Sequence, residues 1–148
     1  GWTIGAPLWG YIADNIISAK KILITSTLLT AFALALVPIL GGWAPWKILM
    51  LFIGLASSGQ VTAFGLAKTQ YSNSFAGLVV SLTNCFVMIS GFAGPLIFAF
   101  VLDMLWAGDF SNGVPLYTQE AYHALFFIMS SLSLLGSMQL IYGYKENE

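Results

Sequence analysis

The sequence predicts an all-α membrane protein: about four complete transmembrane helices, preceded by one truncated helix. Three observations carry that reading. Of 148 residues, 58% are hydrophobic and only 7% are charged, against roughly 25% charged in an ordinary soluble domain. Mean hydropathy is +0.85. The few charges leave residues 22–46, 48–67, 69–102 and 121–144 without a single Asp, Glu, Lys or Arg. A helix needs about 20 mostly apolar residues, at about 1.5 Å each, to cross the hydrocarbon core, and each stretch supplies them.

Taken in order, the elements have distinct signatures. Residues 1–13 are apolar but would cover only about 20 Å of a core about 30 Å thick. They read as the second half of a crossing, and the chain as a piece of a longer membrane protein with no basic leader or cleavage site ahead of its first span. Complete spans are expected near 22–40, 47–67, 75–102 and 121–142. Between them, segment 14–21 holds Asp14, Lys20 and Lys21, and segment 68–74 holds Lys68. The run Tyr71-Ser72-Asn73-Ser74 is rich in N-cap residues and should start the helix that follows. Segment 103–120 is acidic, with Asp103, Asp109 and Glu120, and contains the turn signal Ser111-Asn112-Gly113-Val114-Pro115.

Orientation follows from the lysines. Lys20, Lys21, Lys68 and Lys145 fall on one side of the membrane and Lys47 on the other, so the first side, with the C-terminus, is expected to be cytoplasmic. The chain reads as a multi-pass protein of a plasma or inner membrane. Trp43, Trp46, Trp106, Tyr117 and Tyr122 collect at the opposite boundary as an aromatic belt, and Tyr142 and Tyr144 mark the cytoplasmic one.

The segment from Gly10 to Lys21 resembles the cytoplasmic loop signature of the major facilitator superfamily. That pattern is Gly, three residues, Asp, a basic residue, one residue, Gly, one residue and two basic residues. Gly10 and Asp14 match; Asn15 replaces the first basic residue, Ile17 replaces the second glycine, and Lys20-Lys21 lies one position late. Farther on, Ala76-Gly77-Leu78-Val79-Val80-Ser81-Leu82-Thr83-Asn84 is similar to the opening of the family's eleventh helix. Gly91-Phe92-Ala93-Gly94-Pro95-Leu96 is similar to its Gly and Pro pair, and Leu102-Asp103 to its exit. The resemblance covers the whole chain, from the end of helix eight to helix twelve of a twelve-helix fold. It implies a secondary active transporter that works by alternating access, with or without a coupling proton or ion; that the cargo is a small polar solute, such as an amino acid, nucleoside or sugar, is read instead from the uncharged, hydrogen-bonding residues Ser57, Gln60 and Asn84. It also implies that the partner of this C-terminal part is the missing N-terminal half of the same protein.

Residue by residue, Gly10, Asp14, Lys20 and Lys21 form the loop motif, and an Asp at a helix end can sit against a neighbouring helix dipole and favour one conformation. The alternative is that these are solvated charges that only set topology. Within the spans, polar groups are costly enough to suggest a purpose. Ser57, Gln60 and Asn84 are the candidate cavity residues, Gln60 sharing a face with Ser57 and Phe64 and belonging to a helix the resemblance places at the central cavity. The competing role is interhelical glue. Gly91, Gly94 and Pro95 are expected to permit close packing or a kink, Cys85 to be an apolar packing residue, and His123 to be interfacial.

Several classes are disfavoured. Five lysines and no arginine at a net charge of -1 leave no basic patch for nucleic acid. No phosphate-binding loop, metal-ligand cluster or nucleophile paired with a base points to catalysis, and no cofactor is implied. The remaining alternative to a transporter is a subunit of a small oligomeric four-helix membrane channel or assembly protein.

Overall fold

The computed structural model describes residues 1–40, 45–111 and 113–143. Trp43, Asn112 and Tyr144-Lys145 therefore lie outside the described residues, as does all of the tail beyond Gly143. Six α-helices account for most of the rest: α1 (Trp2–Asn15), α2 (Ala19–Leu40), α3 (Trp46–Ser57), α4 (Thr62–Thr69), α5 (Ala76–Met104) and α6 (Gln119–Tyr142). A 3-10 segment, Ser58–Val61, joins α3 to α4 in one continuous span. Among the described residues, four helical stretches are long and apolar enough to cross a membrane: Ala19–Leu40, Trp46–Thr69, Ala76–Met104 and Gln119–Tyr142.

Local chemistry sets the ends. At the end of α1, the Asn15 amide donates to the Tyr11 carbonyl at 2.9 Å, and the backbone N–H groups of Ile16 and Ile17 both reach the Ile12 carbonyl. At the start of α6, the Thr118 hydroxyl accepts the Ala121 N–H, and Glu120 lies in the first turn, where a negative charge favours the helix dipole. The run Tyr71-Ser72-Asn73-Ser74 does not supply the N-cap residue of α5. Phe75 occupies the cap position without a side-chain bond. A 3-10 turn over Asn73–Phe75, with the Phe75 N–H on the Ser72 carbonyl, occupies the place of the side-chain cap. Between α5 and α6, the turn signal resolves into a small hairpin: β1 (Phe110–Ser111) pairs antiparallel with β2 (Val114–Pro115). Gly113 takes φ 79° there, a backbone conformation that side chains disfavour.

Packing centres on α2, which meets α6 along its length and the third span on another side. Serines hold the first interface: Ser130 and Ser133 donate to the Ala31 and Thr27 carbonyls across it, at 2.8 and 2.9 Å. Glycines stand where the third span crosses α1 and α2. A Cβ on Gly5 would fall on the Ser58 hydroxyl, and one on Gly59 would fall on Ser26 of α2. By contrast, α5 contains no buried residue. Cys85 is exposed on it rather than packed, and a Cβ added at Gly91 or Gly94 would meet nothing within 4 Å. The close approach expected on α5 occurs instead at Gly5 and Gly59, and α5 runs through Pro95 as one helix.

Candidate functional site

The third span changes its winding near its middle, and the cause is readable in its residues. A 3-10 turn is wound more tightly and has poorer hydrogen-bond geometry than an α-helix. In a bilayer its carbonyls must still find donors. Ser57 donates to Gly54 O at 3.2 Å, Ser58 to Leu55 O at 2.8 Å and Thr62 to Gly59 O at 2.8 Å. Trp9 of α1 completes the set, its indole Nε1 donating to Leu55 O at 2.8 Å. Small alcohols and one indole thus satisfy the break locally, and the absence of side-chain bulk at Gly59 lets Ser26 close over it.

Gln60 lies within this turn. It is exposed, and its side chain makes no hydrogen bond to any described residue. Its side chain borders an open groove of about 450 Å³ between the third span and α5, with Thr83, Phe86, Val87, Ser90 and Gly91 opposite. Thr83 and Ser90 turn their hydroxyl hydrogens onto the carbonyls of Val79 and Phe86, at 2.9 and 2.8 Å, so their oxygens remain free to accept. A second groove of about 580 Å³ runs on toward the Tyr71 and Phe75 end, apolar in character and sharing Thr83 and Phe86 with the first. The two share a wall and form one crevice, most apolar at the end near α4 and carrying its polar groups at mid-span.

A third groove, of about 460 Å³, opens at the end of α1. Gly10, Asp14 and Ser18 border it on one side, and Val61, Thr62 and Thr69 on the other. Asp14 is exposed there, across from the start of α2. Lys20 and Lys21 do not border it; Lys20 is half-buried and interacts with a neighbour, and Lys21 is exposed. The Ser58–Val61 turn therefore stands between the two polar grooves, presenting Gln60 to one and Val61 to the other.

Of the candidate cavity residues, only Gln60 borders the mid-span groove. Ser57 turns back onto its own helix. Asn84 is exposed on another face of α5, because the residue meeting Gln60 is Thr83, about 100° away around the helix. Gly91 is present at the groove, without Gly94 and Pro95. The residues that sequence reasoning missed are Thr83, Phe86 and Ser90. Their spacing of three to four marks one helix face, but periodicity does not say which face meets a neighbour.

No protein-family model, curated protein or solved structure matches the chain.

Proposed function

We propose that the chain is the C-terminal part of a secondary transporter of the major facilitator type, which carries a small neutral polar solute across a membrane by alternating access. The observation that carries this reading is Gln60: an amide near the middle of a membrane span, exposed into a groove and bonded to no described residue. Glue residues in bilayers bond across helices, and the Gln60 amide bonds across to none of the described ones. A free amide at that depth is costly unless something polar visits it.

The mechanism follows from the turn. The third span consists of two α-helical pieces joined by a 3-10 segment, and the same segment borders the Gln60 groove and the Asp14 groove. A change in how the Asp14 end packs therefore bears directly on the backbone that holds Gln60. Lys20, Lys21 and Lys68 at that end, against Lys47 at the other, support a cytoplasmic Asp14 face.

A second reading, the oligomeric channel or assembly subunit, has one observation in its favour: α5 has no buried residue and needs a covering surface. Further helices of the same protein or a second copy would each supply one. Counterflow in proteoliposomes of the full-length gene product, preloaded with small neutral solutes, separates the readings. A transporter gives saturable uptake that solute on the far side accelerates. Gln60→Ala should then raise the apparent KM by up to about tenfold, the loss of one hydrogen bond, without lowering the melting temperature. Asp14→Asn should slow uptake at unchanged insertion. Flux linear in concentration and indifferent to the far side would favour the channel.

A further inference from the structure

Building on the transport reading, we infer that the solute is a neutral, cyclic, polyhydroxylated molecule of monosaccharide size, held with its apolar ring face on Phe86 and its hydroxyls on Gln60, Thr83 and Ser90. Charge is the first filter. The residues that border the groove are Gln60, Thr83, Phe86, Val87, Ser90 and Gly91, and none is ionisable. A zwitterion or an anion brought there would find no compensating charge on this wall near the centre of the bilayer, where isolated charge is expensive.

Hydrogen-bond polarity is the second filter. The hydroxyl hydrogens of Thr83 and Ser90 are committed to Val79 O and Phe86 O, so both oxygens offer lone pairs, as does the Gln60 carbonyl oxygen. The Gln60 NH2 is the donor of the set. A wall richer in acceptors than donors is complemented by a molecule carrying several hydroxyl donors. A nucleobase, whose edges carry bare acceptors beside few donors, complements it less well.

Shape is the third. Phe86 is 69% exposed, and its electron-rich ring face suits the polarised C–H face of a pyranose or furanose better than an open, flexible chain. The groove volume of about 450 Å³ lies in the range of small-molecule sites. The adjoining apolar groove, which shares Phe86 and Thr83, gives the same ring face a continuous surface to slide along.

The test is uptake by the full-length protein in proteoliposomes, with three labelled arms: ring sugars (glucose, galactose, xylose) beside open-chain sorbitol, uridine, and alanine. Expected is saturable, trans-accelerated uptake of at least one ring sugar, with sorbitol at least tenfold weaker. Phe86→Leu should raise that sugar's KM about five- to tenfold, and Phe86→Tyr should restore it. Saturable uptake confined to uridine or alanine, or a Phe86→Leu protein with unchanged KM, would overturn this inference and leave transport standing. Absence of saturable uptake in all three arms would overturn the transport reading as well.

Discussion

An alanine at position 59 would set its Cβ within 2.5 Å of both the Cβ and the hydroxyl of Ser26. Gly59 is thus required for space rather than for an unusual backbone angle. Gly59→Ala should cost about 1–3 kcal/mol through overpacking, and adding Ser26→Gly should recover part of that loss. Thermal unfolding in detergent of both single variants and the double variant checks it; purely additive effects would mean that the two residues do not touch. Outside the spans, the Tyr117 hydroxyl donates to the Asp103 carboxylate at 2.5 Å. That bond, aided by slight desolvation and the neighbouring charge, raises the phenol above its usual value of 10.0. Ionisation breaks the bond, so its contribution is fully present below the unfolded value and is lost as pH rises through the raised folded one. In a tyrosinate absorbance titration, Tyr117→Phe should remove a late-ionising group and Asp103→Asn should bring it back toward 10.0. A titration unchanged by Asp103→Asn would show that the bond does not persist in solution.

At the scale of elements, hydroxyls tie α6 to α2 in addition to the packing of the two helices. Ser130 and Ser133 reach carbonyls of α2 that already accept within their helix, and such bonds in a bilayer are worth about 0.6 kcal/mol each. Ser130→Ala and Ser133→Ala should each lower stability by about that amount and the pair by about twice as much, as read by unfolding in mixed micelles; a neutral double variant would place the stabilisation in packing alone. The helices themselves were legible in the sequence, because a gap between charges of twenty residues or more leaves a bilayer-spanning helix little choice. The break at Ser58–Val61 was not. Ser57-Ser58-Gly59 and Thr62 were visible as polar residues, yet whether small alcohols serve a solute or their own backbone depends on a donor from elsewhere, here the indole of Trp9. The same limit explains Asn84 and Thr83. Both are polar, both lie on α5, and only the packing angle of the neighbouring span selects between them.

At the scale of the whole molecule, the described residues form a tight cluster of α1, α2, α6 and the third span, with α5 attached along one side and bare on the rest. The Asp14 and Gln60 grooves flank one turn, and alternating access requires that the Gln60 groove be reached from both faces of the membrane in turn. The most direct measurement is labelling of Gln60→Cys, in a Cys85→Ala background of the full-length protein, by a membrane-impermeant maleimide in right-side-out and inside-out vesicles. Alternating access predicts labelling from each side, with Asp14→Asn raising the rate on one side and lowering it on the other. Absence of labelling from both sides, or two rates that rise and fall together, would contradict it.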